Sequence, residues 1–432
     1  MKTTLTAGLA LALALPASAA AQGTDARVNS AVDRFAPAIV EARHRIHQNP
    51  ELGNREFLTA EMVARHLRSL GMEVQTGVAH TGVVGVLRGG RPGPVVAVRA
   101  DMDALPVTED TPYPFRSTVR TTYNGQEVGV SHACGHDVHT AVQMGVASVL
   151  ASMREQVPGT VVFLFQPAEE GPPPGEEGGA ALMLREGVFE RLKPSAVFGL
   201  HSFSEMEVGR VGYTPGPAMA AATEWRAVVR GKQAHGASPH LSVDPVVMAS
   251  QVVTALQTIR ARNLSPFTPS VVTVGIIRGG ERLNIIPAEV RLEGTIRTFD
   301  PAVQDEVERR MREVFDGTTR AGGGSFTLEF NRAYPVTVND TSLAARMRPT
   351  LERVVGRENV VPVEPTTGAE DFSYFATEVP GFFYRLGTVK PGTTSGGHHT
   401  PTFMADDASI PVGMRVMSSL LLDYLGGGAV GR

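Results

Sequence analysis

Four solid apolar runs mark the first half of the chain: "VVGVL" (83–87), "VVAVRA" (95–100), "VVFLF" (161–165) and "AVFGL" (196–200). Runs this continuous suit strands covered on both faces. Around them, 38–50, 57–70 and 137–153 repeat apolar residues at helical spacing, and Gly71 stops the second. Buried strands alternating with helices predict an α/β domain with a largely parallel sheet.

From about 213 to 330 the rhythm changes. "TEWRAVVRG" (223–231) predicts a strand and 244–262 a helix. "SVVTVGIIRGG" (270–280) and "AEVRLEGTIRTF" (288–299) predict a strand pair, 301–320 a helix and "SFTLEF" (325–330) a strand. The order βαββαβ is that of a ferredoxin-like unit. Afterwards "LAARMRPTLERVV", "GFFYRLG" and a closing helix over 406–425 resume the mixed pattern. The expectation is one α/β domain in two parts, 22–212 and 331–432, interrupted by an inserted domain at 213–330. "GPPPGEEGG" (171–179) is a proline- and glycine-rich loop.

The first residues change the picture of where the protein works. Lys2, the apolar run "LTAGLALALAL" and the small residues of "PASAAAQ" predict a signal peptide over 1–21. The run is shorter than the ~20 residues that span a bilayer. An exported chain, periplasmic or secreted, is expected. The net charge of −4 gives no reason to expect nucleic acid or an anionic membrane as partner.

Polar residues collect where the strands end. "VVAVRA" runs into Asp101 and Asp103, "VVFLF" into Glu169 and Glu170, and "AVFGL" into His201. Cys134, the only cysteine, and His136 stand just before a helix start. Ligands of open α/β sheets bind at that edge. Thiolate, imidazole and carboxylate together suit a zinc-like or other transition metal. The Cys134-x-His136 pair, the Glu169–Glu170 doublet and the His398–His399 doublet are each weak signals alone. A thiol hydrolase with Cys134 as nucleophile would leave both glutamates, His201 and His399 without roles.

"RADMDALPVTE", "HACGHDVHT", "FQPAEEG", "VFGLH", "GKQAHGASPH", "RLNIIPAEVRLEGTIRTFD" and "HHTPTF", in this order, resemble the motif set of the M20 metallopeptidase family, most closely its amidohydrolase branch. The resemblance spans nearly all of the chain after the leader. It implies a di-metal aminopeptidase-like catalytic domain with an inserted ferredoxin-like lid and dimerisation domain. It implies two divalent ions (Zn, Mn, Co or Ni) held by Cys134, His136, Glu170, His201 and His399, with Cys134 bridging. The "TPTF" spacing favours His399 over His398. Glu169 matches the general base. Asp103 matches the residue that orients a metal-site histidine, and Asp101 stands where other branches carry a ligand histidine. His235 matches an oxyanion or substrate-carboxylate donor reaching a partner subunit's site, so a homodimer is implied. Asn284 and Arg297 match substrate-contacting positions. "TGAEDFSYF" departs from the family's S-E-D-F segment, with Ala369 in place of serine, which leaves the role of Glu370 open. The implied reaction is hydrolysis of a small N-acyl-amino acid by a metal-activated water, or, alternatively, of a dipeptide or C-terminal peptide bond.

Overall fold

The four apolar runs become strands of one sheet. The computed structural model describes residues 17–427. The sheet has eight strands in the order Glu73–Val78, Gly82–Arg88, Pro158–Gln166, Arg91–Asp101, Val197–Glu207, Gly381–Val389, Val211–Tyr213 and Val360–Pro362. Its centre, from Pro158–Gln166 to Gly381–Val389, is parallel.

The sheet is less parallel than the apolar pattern predicts. Gly82–Arg88 pairs antiparallel with both neighbours, although six of its seven residues are buried. A solid apolar run reports cover on both faces, not direction. One face of this strand meets the helix Phe57–Ser69 closely: a Cβ on Gly85 would lie 2.8 Å from Leu67 Cδ1. The edge strand Glu73–Val78 is mostly exposed and carries no apolar alternation, so nothing in its sequence marks it.

The helix His136–Ser152 is buried along almost its whole length, and its small residues let other elements approach. A Cβ on Gly145 would meet Met414 Sδ at 2.6 Å, on the helix Ser409–Leu425. This packing fixes the helix start, where Cys134 and His136 stand.

Ala221–Arg230, Ser270–Arg278, Glu289–Thr298 and Ser325–Tyr334 form a separate, wholly antiparallel sheet. Their spatial order, with the second strand at one edge, then the third, first and fourth, is the ferredoxin-like arrangement. The helices Pro245–Thr258 and Pro301–Ala321 cover it around Trp225, Leu256 and Phe315. Both helices start at Asp-Pro. Asp244 and Asp300 accept backbone N–H groups while proline fills the first turn, where its missing donor costs nothing. The last strand runs to Tyr334, four residues beyond the boundary expected at 330.

The first helix, Ala17–Gln48, begins well before the expected residue 38. Residues 1–16 of the expected leader lie outside the described residues. No helix among the described residues is long and apolar enough to cross a membrane.

Candidate metal centre and active site

Strands, the loops around them and one helix start bring the polar residues together. The turn before His136–Ser152 needs glycine at 135: φ is +86°, and a Cβ would lie 2.3 Å from Ser202 Oγ. That close approach seats Cys134 beside the strand carrying His201. Cys134 Sγ lies 3.5 Å from His201 Nε2. His201 Nδ1 faces the Ser202 carbonyl at 2.7 Å, so Nδ1 carries the hydrogen and Nε2 offers its lone pair to the cluster.

His136 is set in the same way. Its Nδ1 lies 3.1 Å from Asp103 Oδ1, while Asp103 Oδ2 accepts the Glu170 backbone N–H at 2.9 Å. His136 Nε2 is buried without a hydrogen-bond partner. It faces oxygens of Asp101, Glu169 and Glu170 at 3.8, 3.8 and 3.9 Å. His399 Nε2 lies 3.0 Å from Glu170 Oε1, and the His399 backbone N–H donates to the Ala133 carbonyl, tying this loop to the cysteine turn.

These residues sort into overlapping groups of ligand atoms within 4.8 Å of one another: Cys134–His136–His201, Cys134–Glu170–His399 and His136–Glu169–Glu170. All five residues expected as ligands fall in these groups, and Cys134 belongs to two of them. His398 faces Cys134 Sγ at 3.7 Å, but its Nε2 accepts the Ser204 N–H, and it joins none of the groups.

Asp101 and His139 also lie within ligand distance of His136, yet their atoms are committed elsewhere. Asp101 Oδ1 meets His139 Nδ1 at 2.6 Å and Oδ2 accepts from Arg99 at 2.7 Å. His139 Nε2 accepts the Ser202 N–H. The two residues lock strand ends together. Arg99, fully buried, also binds Glu370, Asp371 and Gln166. Glu370 therefore belongs to a charged frame behind Glu169.

The field in this pocket is strongly negative. Burial works against a charged His136, but Asp101, Asp103 and Glu170 outweigh it and push it up to about 10. The same field suits a divalent cation, which a deprotonated Nε2 would help to hold. Burial, then Glu370 and Glu170, pushes the Glu169 carboxyl well above the usual range, as suits a group that takes up a proton. Burial, then Glu170 and Glu169, pushes the Cys134 thiol well up, and burial pushes His201 well down. Without a cation the pair is thiol and neutral imidazole, the opposite of an activated nucleophile.

The cluster opens into a cavity of about 1350 Å³. Arg297 reaches it from the inserted sheet. His235 and Asn284 do not: they are exposed neighbours, joined where the Gly236 N–H donates to the Asn284 carbonyl.

Four residues that sequence reasoning passes over also shape the site. Tyr334 Oη donates to the Glu169 carbonyl at 2.8 Å. Glu56, buried, accepts the Ala168 backbone N–H and the Thr81 hydroxyl. Arg99 anchors the frame just described, and Arg385 lines the cavity. Arg385 and Arg99 leave a signal, each as a lone charge in an apolar strand, "GFFYRLG" and "VVAVRA".

Residues 97–423 match the profile of Peptidase family M20/M25/M40. The chain is 37% identical over 390 residues to thermostable carboxypeptidase 2 of Saccharolobus solfataricus, covering 89% of this chain and 95% of the relative. It is 35% identical to N-acetyl-L-cysteine deacetylase of Bacillus subtilis, covering 86% and 84%. Among solved structures, the YXEP protein of Bacillus subtilis, described as a dinuclear metal binding peptidase from the M20 family, superposes with a TM-score of 0.78. That match is 32% identical and covers 91% of this chain and 99% of that one.

Proposed function

This chain belongs to peptidase family M20/M25/M40, and on that footing we propose that it hydrolyses the amide bond of N-acyl-amino acids with the help of two divalent metal ions. One observation carries the reading: His136 Nε2 is buried without a partner and faces three carboxylates, beside a cysteine shared by two ligand groups. The donor set of one sulfur, imidazole nitrogens and a carboxylate fits Zn, Mn, Co or Ni. Cys134, His136, Glu170, His201 and His399 would hold the ions.

When bound, such ions lower the pKa of a water, from 15.7 to about 7 for a single ion, and polarise a carbonyl. Glu169 takes the attacking water's proton and delivers it to the leaving amine. Its raised affinity for protons serves the first half of that cycle. Tyr334 and the Arg99 frame fix its backbone and surroundings. Arg297 meets a substrate carboxylate. His235 and Asn284, exposed and away from the cavity of their own chain, serve the site of a second copy, so the working form is a homodimer. The parts 22–212 and 331–432 form the catalytic domain and 213–330 the lid and dimerisation domain. The leader read over 1–21 supports a site of action outside the cytoplasm.

The resemblance to a carboxypeptidase favours one second reading, cleavage of a C-terminal peptide bond or dipeptide by the same residues. The test is a screen of metal-reconstituted protein on hippurate, N-acetyl-amino acids and dipeptides. Release of amino acid from the acylated substrates, abolished by chelator and restored by metal, is expected. Turnover of dipeptides alone establishes the second reading, and turnover of none overturns both.

A further inference from the structure

Five arginines line the cavity: Arg185, Arg226, Arg297, Arg332 and Arg385. Three are neutralised within the chain. Arg185 pairs with Glu177, Arg226 with Glu293, and Arg332 with Asp305 and Glu308. Arg297 and Arg385 have no ion pair among the described residues; their guanidinium groups donate to the Ile296 carbonyl and the Thr366 hydroxyl.

Arg385 sits in a built niche. Every other residue of its strand, Gly381–Val389, is buried. It is in register with His201 on the neighbouring parallel strand, so the two side chains share a face of the sheet. Phe203, two residues beyond His201, lies under the guanidinium, 4.5 Å from ring centroid to Cζ. Thr366 holds one nitrogen at 3.1 Å. Burial works against the charge, and Glu205, the carboxylate that supports it, stays outside ion-pair distance. A guanidinium has five donors in a planar fork that matches a carboxylate. Here the ring fixes its plane and one donor is used. A partly desolvated cation held this way is stabilised by an anion arriving from outside.

We propose that Arg385 is a specificity-determining residue that binds a carboxylate of the substrate, so that the preferred substrates are N-acyl-amino acids bearing two carboxylates. The inference rests on the hydrolase reading. Arg297, on the inserted sheet, is the second unpaired fork and takes the other carboxylate. The additional carboxylate can belong to the amino-acid side chain or to a dicarboxylic acyl group, and the choice of substrates separates the two.

The test compares kcat/KM of the metal-loaded full chain on N-acetyl-leucine, N-acetyl-glutamate and N-succinyl-leucine, for wild type, Arg385→Met and Arg385→Lys. Wild type should prefer one dicarboxylate over N-acetyl-leucine, and the preferred one locates the carboxylate. Arg385→Met should lower that preference by roughly 10- to 100-fold, the range of one charge-assisted hydrogen-bonding pair, and Arg385→Lys should lower it less. An unchanged preference, or an equal loss on all three substrates, overturns the proposal. If nothing is turned over, the hydrolase reading fails, and glutarate binding to the same proteins by calorimetry decides the arginine's role. Weakening by roughly 10-fold or more in Arg385→Met then supports carboxylate binding, and equal affinity refutes it.

Discussion

Asp103 points one carboxylate oxygen at His136 Nδ1, 3.1 Å away, and thereby turns His136 Nε2 into the cluster. Its other oxygen holds the Glu170 backbone, so a single side chain aims two of the proposed ligands. Asp103→Ala should therefore lower metal affinity by about 10- to 100-fold, the usual effect of removing a residue that orients a ligand. Metal content after dialysis against graded chelator measures this. Wild-type retention would show that packing alone positions the imidazole.

Cys134 is common to two ligand groups, so its loss should be felt by both ions. Cys134→Ser replaces a sulfur with a weaker hydroxyl donor of similar shape. It should bind fewer than two ions per chain under conditions where wild type holds two. Full occupancy in the variant would remove Cys134 from the ligand set.

Glu169→Gln keeps the side chain's shape and removes its ability to take a proton. Bound metal should remain, while kcat falls by about 100- to 10,000-fold, the typical contribution of a general base. Activity within a few-fold of wild type would assign the base elsewhere.

The candidate ligands are legible in the sequence because each lies within a short motif. Cys134, His136, Glu170, His201 and His399 need only local order to be placed at one sheet edge. The inserted ferredoxin-like unit is legible because each of its elements carries its own local pattern in a recognisable order, although its strands pair across long stretches of chain. What lies beyond reach depends on partners far apart in the chain. Tyr334 acts on Glu169 from 165 residues away. Arg385 owes its niche to Phe203 and Thr366, which no spacing connects to it. The antiparallel setting of Gly82–Arg88 escapes because burial is blind to strand direction.

Ala168 holds a φ of +51°, a strained value for a residue with a side chain, directly before Glu169. Glu56 Oε1 accepts its N–H at 2.8 Å and fixes the peptide. Glu56→Ala should let this turn relax and misplace the base. The expected result is a fall in kcat of roughly 10- to 100-fold with KM changed little, because the substrate's binding groups are untouched. A rise in KM with kcat preserved would mean that Glu56 shapes the pocket instead.

His47 is almost fully buried between Asp137, 2.9 Å from its Nδ1, and Glu109, 3.1 Å from its Nε2. Burial works against its charge, but Asp137 and then Glu109 outweigh it, and the imidazole is pushed from 6.5 up to about 9. Because the folded value is the higher one, His47 stabilises the fold fully below pH 6.5 and loses that contribution as pH rises towards 9. The full contribution is on the order of 3 kcal/mol at 1.36 kcal/mol per unit. Glu56, raised to about 8 mainly by burial, also loses stability to the folded state as pH rises, so the wild-type curve alone does not isolate the histidine. The difference between wild type and His47→Gln does. The melting temperature gap should be largest below pH 6.5 and shrink steadily towards pH 9 in metal-loaded protein. A gap independent of pH across that window would show that His47 acts there as a neutral packing residue.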